Sequence, residues 1–356
     1  MITARSVGFL GTATLLLALG AAVAVVDRVA DTRTTVDTRL LLPNFAGRSG
    51  DAQQIEVIRA EDNELGSVSL VRSGDGWILE QRDGYPARAD VVRKLLFDLG
   101  QLDVIEAKTA DPGRFDRLEL RDVAQAGSKA SRLVVSTAQG EVLADVHIGK
   151  RRESLQGGEP MVYVRLTDAT QTYLAEGELE MRGKPHQWLF REVVNVPQEQ
   201  ISRATITAVD GTVVELERVR DDGRDFRIVN IPTDRKIDSQ YAVNNAATVL
   251  DKLLFDDVRA AEGVRFEPSL GSARFETKDG LVFTVQFARD GETGDGKPQE
   301  WLRVIVDVPD DAPDEAKAFA TAARAQVDGW AYQLSSYEME RLRATMNSLT
   351  KPIEGS

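Results

Sequence analysis

A few segments carry residue types and spacings that could do chemistry. Gly291 to Pro298 (GETGDGKP) comes within one residue of a phosphate-binding loop. In such a loop glycine amides wrap the phosphates, a lysine reaches them, and a Ser or Thr holds magnesium where a helix begins. Here Pro298 stands in place of the hydroxyl, residues 301–306 alternate as a strand, and Asp290, Glu292 and Asp295 would repel phosphate. The segment therefore predicts a hairpin loop. The same three acids offer oxygen ligands for calcium, but they miss the EF-hand spacing with glycine at the sixth position. The corresponding stretch of the first half, Lys150-Arg151-Arg152, is basic. Ser348 and Lys351 have the serine–lysine spacing of penicillin-recognising enzymes without the companion Ser-Asp-Asn or Lys-Thr-Gly motifs.

Only two histidines exist, His147 and His186. His147 alternates with Val146 and Ile148 and so points away from those apolar side chains; His186 precedes Trp188 in a loop. Neither shows a carboxylate–serine partner set nearby, so each reads as an ordinary exposed or hydrogen-bonded histidine. No catalytic, cofactor-binding or metal-binding residue is assigned from these segments, and no cofactor is expected.

Composition narrows the classes further. The chain has 356 residues, 42% hydrophobic and 28% charged, which is enough for two ordinary domains with sizeable cores. A formal charge of −13 argues against nucleic acid and against an anionic lipid surface as partners. The absence of cysteine removes thiol catalysis, thiolate metal sites and disulfides together.

The elements that must position any site begin with a targeting signal. Residues 7–26 form an uncharged run of 20 residues, about 30 Å as a helix and so the thickness of a bilayer's hydrocarbon core. Arg5 precedes the run, and Asp27-Arg28 ends it. It predicts an N-terminal transmembrane anchor over residues 1–28, with a signal peptide cleaved at Ala22-Val23-Ala24 as the alternative. Arg28, Arg33 and Arg39 follow the run, and large domains translocate largely regardless of such charges. The expected orientation is N-terminus in, C-terminal domains out. Residues 29–52 form a polar linker with some apolar content (Leu40-Leu41-Leu42-Pro43).

Past the linker the sequence resembles itself. Lys94-Leu95-Leu96-Phe97-Asp98 recurs as Lys252-Leu253-Leu254-Phe255-Asp256. Three alternating runs precede each copy: 55–59, 67–72 and 77–81 in the first, 204–208, 213–218 and 226–231 in the second. Similar turns, Gly74-Asp75-Gly76 and Asp221-Asp222-Gly223, join them, followed by loops with Pro86 and Pro232. Val91, Leu95, Leu96 and Leu99 give a helical apolar stripe, and Val249, Leu253 and Leu254 its counterpart. Strands are expected at 132–136, 142–148 and 162–166, with partners at 273–277, 282–288 and 301–306. Each copy closes on a Trp-led strand, Trp188-Leu189-Phe190 or Trp330-Ala331-Tyr332.

This order predicts an α+β protein: an N-terminal transmembrane helix, then two tandem repeats (53–200 and 201–350) of a mostly antiparallel sheet with covering helices, and a tail at 351–356. Residues 307–315 (DVPDDAPDE) read as a solvated loop entering a helix at Asp314, or as a docking surface for a basic partner. Trp77, Trp188 and Trp330 read as core anchors.

The segments Gly76-Trp77-Ile78-Leu79, Tyr85-Pro86-Ala87, the Lys94–Asp98 helix, Trp188-Leu189-Phe190-Arg191 and Trp330-Ala331-Tyr332-Gln333-Leu334 together resemble the "domain of unknown function 4340" family of bacterial envelope proteins. That family's Gly-Leu-Asp-x-Pro stretch is here reduced to Arg117-Leu118-Glu119-Leu120. The resemblance implies an accessory partner of gliding-motility-type ABC transporters and brings no catalytic residues. It suggests a membrane-anchored periplasmic binding or scaffold protein touching ABC permease or ATPase subunits. The alternatives are an envelope hydrolase using paired carboxylates and a secreted ligand-binding protein.

Overall fold

The computed structural model describes residues 39–61, 64–153, 158–267, 269–292 and 296–353. The apolar run 7–26, and with it the expected anchor, lies outside them. Among the described residues no helix is long and apolar enough to cross a membrane. The described residues pack into two compact units: one is built from those up to Arg72 together with those of Asp90–Gly183, the other from those of Ser73–Ala89 together with those from Lys184 onward.

The strands of the N-terminal half are β1 (Arg39–Leu40), β2 (Gln54–Glu61), β3 (Glu64–Ser73), β4 (Gly76–Leu79), β5 (Tyr85–Ala87), β6 (Asp103–Ala107), β7 (Ser131–Ser136), β8 (Val142–Arg152), β9 (Met161–Leu166) and β10 (Thr172–Glu176). In the first unit the order across the sheet is β1-β6-β10-β9-β8-β7-β2-β3, and its paired neighbours run antiparallel. Helix α1 (Ala89–Gly100) buries Val91, Val92, Leu95 and Leu99 and turns Phe97 outward at 64% exposure. Three of the four residues of the expected stripe are thus in the core; Leu96 is half-buried. Lys94 fixes the outer face, its Nζ 2.8 Å from Asp98 and 2.9 Å from Glu178.

The second unit contains β11 (Glu192–Val194), β12 (Ile201–Thr207), β13 (Val213–Arg218), β14 (Phe226–Ile228), β15 (Arg235–Ile237), α2 (Gln240–Ala247), β16 (Leu253–Leu254), β17 (Asp257–Ala260), β18 (Ser272–Thr277), β19 (Val282–Glu292), β20 (Pro298–Asp307), α3 (Asp314–Val327), β21 (Trp330–Gln333), α4 (Ser336–Leu342), α5 (Met346–Leu349) and β22 (Thr350–Pro352). Its main sheet runs β14-β13-β12-β18-β19-β20-β21-β17, again antiparallel. Smaller pairs, β11 with β16 and β15 with β22, complete it. The protein is therefore α+β and rich in mostly antiparallel sheet, as the alternating runs predict.

The β4–β5 hairpin lies in this second unit, although its sequence precedes α1. Asp83 and Gly84, both at positive φ, make its turn. The Asp83 carboxylate accepts the Ala260 N–H at 2.9 Å, and Arg82 pairs with Asp257. Tyr85 is buried edge-on against Trp330 (centroids 4.8 Å apart) and Phe255 (5.5 Å). Burial raises the Tyr85 hydroxyl pKa, and it raises that of the neighbouring Tyr332 as well.

Two local expectations need correction. The second Lys-Leu-Leu-Phe-Asp copy is not helical. Helix α2 stops at Thr248, whose hydroxyl bonds back to the Asn244 carbonyl, and Lys252 takes a left-handed φ of 58°. Leu253 and Leu254 then pair with β11, and Leu253 and Phe255 enter the core on alternate positions. A β-branched Thr248-Val249 pair and the short side chains of Asn244 and Asn245 favour the helix poorly, so strand pairing wins. Trp188 ends a 3-10 turn (Pro185–Trp188) instead of leading a strand, and is fully buried. Beyond the last Trp-led strand, the Ser335 hydroxyl accepts the Glu338 N–H and so caps α4.

Candidate functional site

Most segments with chemical spacing are structural. Glu292 of β19 pairs with Pro298 of β20, so an antiparallel strand and not a helix follows Lys297. Asp290 pairs with Arg259 at 2.8 Å, which commits its charge to a guanidinium. Among the described residues no three His, Cys, Asp or Glu side chains are grouped to hold a metal. Ser348 caps α5 with Thr345, while Lys351 pairs with Asp238 at 2.8 Å. Asp314 and Glu315 occupy the first turn of α3. Of the tryptophans, Trp188 and Trp77 are buried, and Trp330 is half-buried on β21. His186 is half-buried in its 3-10 turn, its pKa lowered mainly by burial.

The exception is His147, which the sequence reads as ordinary. Strand register places Arg132 of β7, His147 of β8 and Arg165 of β9 directly opposite one another, one row across a single face. Asp145, two residues before His147, shares that face. A row of charged side chains on a strand normally meets water. Here the segment after β6 covers it, through a 3-10 helix (Pro112–Leu118) whose start Asp111 caps by accepting the Gly113 N–H. Gly149 makes the approach possible. A Cβ there would run into the Leu118 carbonyl oxygen and come within 2.9 Å of that of Glu119. Glu119 itself turns the chain at φ 58°. Phe115 slides beneath the Arg165 guanidinium, 5.1 Å from its ring centroid, and is buried.

Under this cover a relay forms. Arg132 grips Asp145 with two bonds of 2.8 and 2.6 Å. Burial pushes the Asp145 carboxyl up, but Arg132 and Thr167 outweigh it, so its pKa lies below the ordinary value and it is ionised. The Thr167 hydroxyl, 2.5 Å from Asp145, therefore donates to that carboxylate and accepts from His147 Nδ1 at 3.0 Å. The tautomer follows: Nδ1 carries the proton, and Nε2 holds a bare lone pair. Among the described residues that nitrogen, which is buried, makes no hydrogen bond, and Oδ2 of Asp122 lies 3.7 Å away. Burial, then Arg165, pulls the imidazole pKa down to about 4, so His147 is neutral near pH 7.

Arg165 is 6% exposed. Its Nη1 donates to the carbonyls of Leu166, Thr167 and Ala169 at 3.4, 3.2 and 3.1 Å, and its enclosed Nε has no partner among the described residues. Burial lowers its pKa. Beside it opens a cavity of about 310 Å³, lined among others by Arg121, Asp122, Arg165, Thr167 and Asp168.

A family model described as Domain of unknown function (DUF4340) matches residues 77–271, more than half of the chain. The chain belongs to that family. No curated protein and no solved structure matches it. The DUF4340 match opens on β4 of the hairpin and takes in all of α1, the polar row on β7, β8 and β9, and the covering segment.

Sequence reasoning missed the row because Arg132, Asp145, Arg165 and Thr167 come together only through strand register. The available signal was Asp145 and His147 sharing one parity on a strand. That parity predicts a common face and says nothing of what covers it.

Proposed function

We propose that this chain is a membrane-tethered envelope protein of binding or scaffold type, an accessory of an ABC-type transport system at the bacterial inner membrane. The observation that carries the reading is the uncharged 20-residue run 7–26, ahead of a polar linker and two compact β-rich units. One transmembrane pass with both units in the periplasm fits that order, and the run acts as the membrane partner. The family match carries no function of its own; the transporter role is what the resemblance of Gly76–Leu79, Lys94–Asp98 and Trp330–Leu334 to such envelope proteins implies. We read residues 53–200 and 201–350 as copies of one tandem repeat. The order β6-β10-β9-β8-β7-β2-β3 in one sheet and β17-β21-β20-β19-β18-β12-β13 in the other supports a duplication.

The test is crosslinking in native membranes followed by mass spectrometry of what co-purifies. Recovery of permease and ATPase subunits with residues 7–26 still attached is the expected result. A processed, soluble protein with no transporter subunits would refute both the anchor and the transporter role.

A further inference from the structure

We propose that the cavity beside Arg165 in the first unit binds a small zwitterionic ligand, an amino acid or short peptide, with its carboxylate on Arg165 and its ammonium at Asp122. The inference does not rest on the membrane reading. Three observations carry it.

Arg165 is a buried cation whose hydrogen bonds, among the described residues, go only to backbone carbonyls. Asp122 and Asp145 act on it only through space, whereas a buried cation is normally hydrogen-bonded to its counter-charge. Its Nε is unpartnered, and the side chain forms part of the cavity wall. A carboxylate is the planar acceptor that a guanidinium edge matches.

Across the same cavity Asp122 faces the opposite problem. Its Oδ1 accepts the Ala124 N–H at 2.9 Å, while Oδ2 looks toward the bare lone pair of His147 Nε2 at 3.7 Å. Two acceptors face each other with no proton between them. The relay through Thr167 to Asp145 fixes the imidazole in that tautomer, so the ring cannot resolve the conflict by turning its N–H around. An ammonium in the cavity can donate to the Asp122 carboxylate, whose side chain is 45% exposed, while the enclosed His147 Nε2 feels that charge only through space.

The third observation is charge balance. Arg121 and Arg165 line the cavity with Asp122 and Asp168, so a simple anion or a simple cation would each meet two like charges. A ligand bearing both signs meets neither penalty. About 310 Å³ sits at the small end of ligand pockets and admits a dipeptide.

The experiment is titration calorimetry of the full-length protein in detergent with alanyl-alanine, and with acetate and methylamine as single-charge controls. Saturable binding of the dipeptide in the millimolar range or tighter, with neither control binding comparably, is expected. Loss of one charge-assisted contact should weaken binding roughly tenfold or more in Arg165→Gln and in Asp122→Asn. Asp122 is 45% exposed on its side chain, so the second variant keeps a readout if the first fails to fold. In the wild-type protein the His147 Nε2 nitrogen resonance should shift on saturation. No saturable heat, acetate binding as tightly as the dipeptide, or a dipeptide affinity unchanged in Asp122→Asn would each overturn the proposal.

Discussion

His147 and Gly149 lie on the same face of β8, and each reports on the segment laid over it. The imidazole's ordinary pKa of 6.5 falls to about 4 in the folded unit, chiefly through burial. Between those values the unfolded chain takes up a proton that the folded unit refuses, so protons favour unfolding. Stability linked to His147 is thus fully present above about pH 6.5 and declines as pH falls toward 4, by at most about 3 kcal/mol. Urea midpoints of the first unit measured from pH 7 to 4 should show this slope. His147→Asn, which retains a donor toward Thr167, should flatten it. An unchanged slope would mean that other groups carry the acid sensitivity. At Gly149 a methyl group would strike backbone, which cannot rotate away, so Gly149→Ala should cost about 3 kcal/mol. Gly66→Ala on β3 meets only an ordinary 3.7 Å contact and should leave the melting temperature nearly unchanged. Equal losses from the two alanines would remove the argument for close approach at Gly149.

The same pentapeptide forms α1 at Lys94–Asp98 and a turn followed by a strand at Lys252–Asp256, which shows how far context governs an element. In the first copy, buried residues at 91, 92, 95 and 99 give a helical face that packing can use. In the second, the helix ends eight residues after it begins, and the Leu253-Leu254 backbone finds partners in β11. The β4–β5 hairpin shows a related dependence. Its four residues Gly76–Leu79 and three residues Tyr85–Ala87 are too few to be stable alone. They are held by the aromatic packing of Tyr85 on Trp330 and Phe255. Tyr85→Ala should cost the second unit about 3–5 kcal/mol, read as a drop in its denaturation midpoint. A loss below about 1 kcal/mol would show that the hairpin rests on the unit without supporting it.

At the scale of the molecule, the second unit draws residues 73–89 from far upstream of its main body, Lys184–Ser356. A fragment of residues 184–356 therefore lacks Tyr85, the Asp83 carboxylate that caps the Ala260 N–H, and the Arg82 partner of Asp257. Such a fragment should be markedly less stable than the same unit in the whole chain. A synthetic peptide of residues 73–89 should bind it and raise its melting temperature, as any ligand selective for the folded state does. A fragment as stable alone as within the full chain would show that the hairpin contributes nothing.

The sequence by itself determined what local pattern and composition can determine. Parity of apolar residues gave most of the central strands and the α+β class but missed β6, β10 and β17, the alternation at 301–306 gave a strand where a phosphate loop needs a helix, and the stripe at 91–99 gave α1. These depend on near neighbours, which a reader of one chain can see. Only the tertiary structure decided which unit the 73–89 hairpin joins, that the second Lys-Leu-Leu-Phe-Asp is not a helix, and that His147 is buried. The last depends on register across β7, β8 and β9 and on a segment about thirty residues upstream of His147 folding over the same face. Hydrophobic periodicity records which side of a strand a residue occupies; it carries no record of what is laid on top.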